Sequence, residues 1–377
     1  MKLIELHILQ SFPVTCLNRD DVGAPKSAYF GGCQRARVSS QCWKRAIRLM
    51  ARDLARGKEF MAFEGIRTRK AIGDLAKSLE NKGVASVEAP KIAADICEGF
   101  LKKQKEEEEE KKEGKTKQAK TDVATPTETS TLLYFSSAEL DAMADAVARA
   151  LREKTKKALL DVASTAAPAA HLKDAADIAI FGRMVANESS LTLEGAGLFS
   201  HALSTHRSDT EIDFFTAVDD RHQKGEDMGA GMMGSLDFNS ACYYRYVGLN
   251  LDMLKDKEHL DSLSGQERAK VLDAFLRAAI MAVPPARKNS MFGFNPPALV
   301  LGFRRTGQPL SLVNAFEKPV RSNSGYVEES VRVMQEHWSK LNGLYKLFDP
   351  TRDVEVQLPP DNLDACIERL IGKPDEC

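Results

Sequence analysis

The sequence predicts an α+β protein into which a block of helices is inserted. Residues 2–12 cluster and alternate Leu, Ile and Phe, as a strand in a partly buried sheet does. Residues 240–251 are β-rich, and residues 264–283 have the apolar spacing of an amphipathic helix. Because strands and helices interleave over long stretches of chain, these patterns favour a mixed fold over an all-helical or all-strand one.

The helical block is predicted from residues 68 to 100 and again from 137 to 162. Ser136 and Ser137 are capping signals ahead of the second stretch. Between the two stretches, residues 102–120 are almost entirely Lys, Glu and Gln, and a Thr-rich run follows. We therefore expect a charged, flexible linker at about 102–131.

Strand character returns after residue 175. The segments predicted as strands are DIAIF (177–181), PALVLGF (297–303) and PLSLV (309–313). Two further amphipathic patterns predict helices over 327–345 and 361–371.

Positive charge is concentrated near the N-terminus. Residues 19–52 carry a net charge of +6, whereas the whole chain of 377 residues carries −1. Such a segment in a near-neutral protein is typical of a surface that binds a polyanion. We call residues 19–52 the basic segment.

A helix is predicted within the basic segment, with Ser39 or Ser40 as its N-cap and Gly57 as its stop. Its apolar residues, from Trp43 to Leu54, share one face, and its cationic residues share the other. Gly31 and Gly32 precede it and would let the backbone approach a ligand closely. Ser and Gln beside Arg and Lys are typical of contacts to phosphate and sugar oxygens. The alternative is an ordinary solvated helix face.

Residues 207–227 differ from the basic segment, since their net charge is −4. This stretch is therefore not a general phosphate surface. Two interpretations of Phe214 and Phe215 within it stay open. They pack in an ordinary hairpin, or they stack against nucleobases, a contact that tolerates any base sequence.

Several functional classes find no support in the sequence. The seven cysteines include no CxxC, which argues against a disulfide framework and a zinc ribbon. His201 and His206 are five residues apart, and the HExxH, GxxxxGK[ST] and GxSxG motifs are absent. The N-terminal apolar run is interrupted by Glu5 and His7, so a signal peptide is not expected. We expect a cytoplasmic protein with no metal, no cofactor and no membrane partner.

The chain resembles a known family at many points. CLNRDD (16–21), FGG (30–32), RxRVSSQ (35–41) and KRAIR (44–48) resemble the N-terminal signature of the CasC family, the backbone subunits of type I-E CRISPR Cascade complexes. Further matches follow in the same order: GRM (182–184), HALSTHRSDTEIDFFTAVDD (201–220), FNPPALVL (294–301) and PLSLVNAFEKPV (309–320). The family continues basic where Cys33 and Gln34 stand here.

The resemblance implies a ferredoxin-like, RNA-recognition-type palm with an inserted helical fingers domain and a β-hairpin thumb. The implied boundaries are 1–60 for the first part of the palm, 61–174 for the fingers, 175–200 for a palm strand and web, 201–235 for the thumb, and 236–377 for the second part of the palm. It also implies a non-catalytic, CRISPR RNA-binding subunit in antiviral defence. Its partners would be CRISPR RNA, target DNA paired to the guide, further copies of itself and other Cascade subunits.

Residue by residue, the resemblance and the basic pattern give two sets of site residues. The set expected to hold the RNA backbone is Arg19, Lys26, Arg35, Arg37, Ser39, Ser40, Gln41, Lys44, Arg45 and Arg48. The set expected to wedge between bases is Met184, Phe214, Phe215, Thr216 and, as a less secure match, Met233.

Two alternatives remain open. Asp20 and Asp21 are adjacent carboxylates in the basic segment, and such a pair can hold Mg²⁺ for a ribonuclease that cuts RNA paired to the guide. Adjacent acids also pair with a neighbouring arginine or cap a turn. The second alternative is an RNA-binding module that acts as a monomer.

Overall fold

The computed structural model describes residues 1–56, 62–101, 126–170, 172–185, 187–217, 232–285 and 287–374. It confirms the predicted α+β class. The chain divides into two compact units. The first contains Met1–Leu54, Leu198–Asn250 and Leu272–Glu376, and the second contains Ala55–Gly197 and Leu251–Val271. The finer division into palm, fingers, web and thumb stays a prediction.

The strands are β1 (Lys2–Thr15), β2 (Ser27–Phe30), β3 (Cys33–Val38), β4 (Ile66–Thr68), β5 (Leu133–Phe135), β6 (Gly197–Phe199), β7 (Ala202–Ser204), β8 (Glu211–Ala217), β9 (Met232–Asn250), β10 (Leu299–Thr306) and β11 (Val354–Leu358). The helices are α1 (Ser40–Ala55), α2 (Ala71–Asn81), α3 (Ala89–Gly99), α4 (Ser137–Arg152), α5 (Leu159–Ala166), α6 (Ala176–Phe181), α7 (Leu251–Leu254), α8 (Gly265–Met281), α9 (Val327–Tyr345) and α10 (Leu363–Ile371).

The first unit is built on an antiparallel sheet. Among the described residues its strand order is β11-β10-β1-β9-β7-β3-β2, and β6 and β8 also pair with β9. Strand β1 lies between β9 and β10 and is almost wholly buried. Helix α9 packs on this sheet, and the ring centroids of Trp338 and Phe303 lie 4.4 Å apart. Burial on both faces explains why apolar residues of β1 stand at adjacent positions, and why Glu5, His7 and Gln10 between them are also buried.

A buried polar network crosses the same sheet. The Glu5 carboxylate pairs with Arg305 at 2.6 Å and accepts a hydrogen bond from the Tyr246 hydroxyl at 2.8 Å. It also accepts the backbone N–H of Leu310 at 2.8 Å, and the Tyr244 hydroxyl accepts that of Leu312. Side chains therefore satisfy backbone donors that a strand at 309–313 would have given to a neighbour.

The second unit contains a helical core formed by α2, α3, α4 and α5. Ser136 caps α4 as predicted: its hydroxyl accepts from the N–H of Glu139, and the Glu139 carboxylate accepts from the N–H of Ser136. The same carboxylate pairs with Arg183 at 2.7 Å, and both side chains are buried. Strands β4 and β5 form a separate two-stranded sheet.

Two predicted strands are wrong. Residues 176–181 form helix α6, whose uniform burial leaves no helical periodicity in the sequence. PLSLV leads into a short 3₁₀ helix at Val313–Phe316 instead of forming a strand. Strands β2, β3, β4, β5 and β11 were not predicted. The predicted linker lies largely outside the described residues, as do the predicted helix stop at Gly57 and residues 218–231 of the predicted thumb.

Candidate nucleic-acid interface

Helix α1 carries much of the basic segment and is fixed at its N-terminus and inner face. Ser39 is the N-cap, since its hydroxyl accepts the N–H of Cys42 at 3.3 Å. Trp43 and Ile47 are buried on the inner face, as predicted. The guanidinium of Arg245 on β9 lies 4.2 Å from the centroid of the Trp43 ring. These contacts fix which face of α1 points outward.

The outer face of α1 is cationic. Arg45 and Gln41 are exposed, and Lys44 and Arg48 are partly exposed. The Lys44 ammonium lies 5.1 Å from the centroid of the Phe199 ring, and burial lowers the pKa of Lys44. Such a surface offers charge and hydrogen-bond donors without reading any base.

Lys26 and Arg37 lie beside the start of this helix. The backbone N–H of Arg37 donates to the carbonyl of Lys26 at 2.8 Å, and its side-chain Nε donates to the carbonyl of Ser27 at 3.2 Å. Both side chains are partly exposed, and Arg19 is exposed on the preceding loop. The structure therefore brings charges from the loop, from β3 and from α1 into one unit.

Arg35 has a different environment from the other cationic residues. Its side chain is fully buried. Its guanidinium donates to the carbonyls of Phe30, Ser204, Phe316 and Glu317 at 2.8 to 3.3 Å. No part of it is exposed to contact a phosphate, so we assign Arg35 a structural role and leave it out of the interface proposed below.

Gly31 and Gly32 form the turn between β2 and β3, with φ angles of +60° and +75°. A Cβ atom at Gly31 would lie 1.6 Å from the carbonyl oxygen of Glu317. At Gly31 the close approach is therefore to the protein's own backbone, which only glycine permits there.

The Asp20 carboxylate caps its own loop. It accepts the N–H of Val22 at 3.1 Å and that of Ala24 at 2.9 Å, as a turn-forming aspartate does. An open cavity of about 660 Å³ lies beside this loop, lined in part by Asp21, Arg19 and Arg45. Within the described part of the chain, no three His, Cys, Asp or Glu side chains come together as a metal site.

The strands β8 and β9 form a hairpin that sorts the predicted wedge residues onto two faces. Phe214 pairs with Ser235, and Thr216 pairs with Met233, so Phe214, Thr216 and Met233 share one face. On this face Phe214 and Met233 are both 64 % exposed. Phe215 lies on the other face, where its ring covers Gly234.

Met184 belongs to the second unit and follows Gly182, whose φ angle is +78°. Its side chain is 87 % exposed. An exposed, unbranched apolar side chain suits contact with a flat ring.

The structure also shows residues that the sequence did not single out. Ile212 lies on the same hairpin face as Phe214 and is 71 % exposed. Tyr29 on β2 is 82 % exposed. His201 accepts a hydrogen bond at the first turn of α1. Strand alternation could have identified Ile212, but nothing local in the sequence connects His201 with Ser40, 161 residues away.

The fold and this surface belong to a recognised class of protein. The model of the CT1975-like protein family (Cas_CT1975) matches residues 4–370, and the chain belongs to that family. A chain from a structure titled "CRISPR RNA-guided surveillance complex, pre-nicking" is 28 % identical. It superposes with a TM-score of 0.76, and the match covers 98 % of this chain and 99 % of that chain.

A second chain, from a "CRISPR RNA-guided surveillance complex", is 24 % identical and superposes with a TM-score of 0.63 over the same shares of the two chains; it supports the fold alone. No curated protein matches the sequence. In the described part of the chain, no helix is both long and apolar enough to cross a membrane.

Proposed function

We propose that this protein is a non-catalytic backbone subunit of a type I-E CRISPR Cascade complex, the CasC subunit, and that it binds CRISPR RNA. The observation that carries the proposal is the outward cationic face of α1, joined by Lys26, Arg37 and Arg19. Membership of the CT1975-like family and the similarity to a surveillance-complex chain support it.

The contact to RNA is independent of sequence. Eight residues hold its phosphates and sugars: Arg19, Lys26, Arg37, Ser40, Gln41, Lys44, Arg45 and Arg48. Ser39 is buried and caps α1 instead. Charge and donor geometry are the same for every spacer, so one protein serves guides of any sequence. Specificity for target DNA comes from base pairing with the guide.

The exposed hairpin face and Met184 act on the bases. Phe214, Thr216 and Met233 insert between bases at intervals and leave the intervening bases free to pair. Ile212 extends the same face. Phe215, on the opposite face with its ring against Gly234, supports the hairpin instead of contacting a base. Copies of the chain add head to tail along the RNA, which needs an open, heterologous interface.

Native mass spectrometry on CRISPR RNAs of stepped length tests this function. We expect the number of bound copies to rise in regular steps as the RNA lengthens. A constant single copy would support the monomeric RNA-binding module instead.

A cleavage assay tests the ribonuclease alternative. Complementary RNA added with Mg²⁺, and separately with EDTA, should stay intact in both samples, whereas cleavage with Mg²⁺ alone would show the ribonuclease.

A further inference from the structure

The segment that joins β6 to β7 places a histidine at the start of α1. The backbone N–H of Ser40 donates to Nδ1 of His201 at 3.0 Å. His201 is exposed, although its backbone is held in place: the Ser200 hydroxyl donates to the His201 carbonyl at 3.0 Å and accepts the N–H of Tyr246 at 3.1 Å. The ring position is therefore set from two sides.

This hydrogen bond determines which ring nitrogen carries the proton. A backbone N–H is always a donor, so Nδ1 must be the acceptor and must be unprotonated. The proton of the neutral ring is then on Nε2. Among the described residues, Nε2 has no hydrogen-bond partner within the protein, which leaves one outward N–H donor at this point.

The surroundings of this donor are cationic. Arg37 on β3 pairs with Leu203 on β7, two residues after His201, and the N–H of Arg37 donates to the carbonyl of Lys26. Partial burial lowers the pKa of His201 below its ordinary value, and the charges of Arg37 and Lys26 lower it further. At neutral pH the ring is therefore uncharged and keeps the tautomer that Ser40 requires.

We propose that His201 is a further RNA contact, which donates from Nε2–H to a phosphate oxygen alongside Lys26 and Arg37. The inference rests on the proposed RNA-binding function and deepens it. A neutral donor in a cationic cluster binds a phosphate oxygen without adding to the charge repulsion among its neighbours. It also ties the bound RNA to the β6–β7 segment as well as to the basic segment.

Two substitutions separate the two ring nitrogens. In His201→Asn, the amide oxygen takes the place of Nδ1 and still accepts from Ser40, but no donor remains at Nε2. In His201→Gln, the amide nitrogen reaches the position of Nε2 and restores the donor. We expect RNA affinity to fall about tenfold in His201→Asn and by less than about twofold in His201→Gln. Because the donor is neutral, the salt dependence of binding should not change.

The measurement is fluorescence anisotropy of the full chain with labelled single-stranded RNA, together with the melting temperature of each variant. His337→Asn, a partly exposed histidine on α9 whose pKa is also lowered, is the matched control. In a ring-¹⁵N NMR spectrum, the Nε2–H signal of His201 should shift when RNA is added.

The outcomes distinguish the two proposals. If the parent chain binds RNA and both His201 variants bind it as tightly as the parent does, the His201 contact is refuted and the RNA-binding function stands. The same holds if both variants bind more weakly and their melting temperatures fall to a matching degree. If the parent chain does not bind RNA, the proposed function is refuted and the His201 contact with it.

Discussion

Strand β9 is one continuous stretch of backbone, but its two halves bury their side chains in different ways. Residues 239–250 lie in the sheet beside β1, and Tyr243, Tyr244 and Arg245 are almost fully buried there. Residues 232–238 pair with β8, and this hairpin leaves Phe214 and Met233 mostly exposed. The inner half finds its partners within the chain, whereas one face of the outer half has no cover among the described residues.

The difference shows what each half is suited for. The inner half is a scaffold: through the stacking of Arg245 on Trp43 it holds α1 and thereby orients the cationic face. The outer half, paired with β8, carries the proposed contact surface, since Ile212, Phe214 and Met233 on that surface are exposed and apolar. Substitutions in the inner half should therefore act on stability, and those on the exposed hairpin face should act on binding.

The largest expected effect is on stability, from Arg245→Ala. Arg245 donates to the carbonyls of Ala279 and Ile280 and to the side chain of Gln10, and all of these bonds are buried. Removing it leaves buried acceptors unpaired and α1 without its stacking partner, so the free energy of unfolding should fall by about 4 kcal/mol. Urea denaturation measures this, with Ser235→Ala on the outer half as the control, expected within about 0.5 kcal/mol. Equal losses in the two variants would remove the distinction between the halves.

A second effect on stability comes from β1, the neighbour of the inner half, and depends on pH. His7 lies opposite Tyr246 on β9, and burial, assisted by the charge of Arg305, lowers the pKa of His7 to about 3. The unfolded chain protonates His7 near pH 6.5, whereas the folded chain does not. The contribution of neutral His7 to the free energy of unfolding is therefore complete above pH 6.5 and declines as pH falls towards 3.

Between pH 6.5 and 5, the parent should therefore lose about 2 kcal/mol relative to His7→Gln, which has no such group. Urea midpoints across that pH range provide the measurement. Parallel pH profiles for the two proteins would show that His7 is not kept neutral in the folded state.

Smaller effects on stability are expected in the hairpin, where two neighbouring phenylalanines lie on opposite faces and can be compared directly. Phe215→Ser removes the ring that covers Gly234 and should cost about 1 kcal/mol of stability. Phe214→Ser removes an exposed ring and should leave stability within about 0.5 kcal/mol, while reducing the number of copies assembled on long RNA. Melting curves and native mass spectra of the two variants decide this. Unchanged assembly in Phe214→Ser would exclude that ring from the contact.

The smallest expected change concerns the face of α1 that the inner half orients. Arg45→Ala removes one exposed charge, so stability should hardly change. If Arg45 contacts a phosphate, the slope of log affinity against log salt should become shallower by about 0.7. Lys340→Ala, an exposed cation on α9, is the control and should leave the slope as in the parent. The same slope in both variants would place Arg45 outside the interface.

Features with local causes were predictable from the sequence. The apolar spacing and cap of α1, the run of β1 and the capping box of α4 each depend on residues a few positions apart. Arg35 was not predictable as a buried residue, because three of its four acceptors lie at residues 204, 316 and 317. The strand predicted at 309–313 from its local apolar pattern does not form, because two of its backbone donors bond to Glu5 and Tyr244, which are remote in sequence. The separation of Phe214 from Phe215 follows from strand alternation alone.

The acceptors of Arg35 also have a consequence for synthesis on the ribosome. The first 55 residues contain the whole cationic helix, but Arg35 and Gly31 reach their partners only when residues 316 and 317 have emerged. In a nascent chain shorter than that, the Arg35 guanidinium lacks its acceptors at Phe316 and Glu317. The order of translation thus delays the packing of Arg35 and of the β2–β3 turn until most of the polypeptide exists.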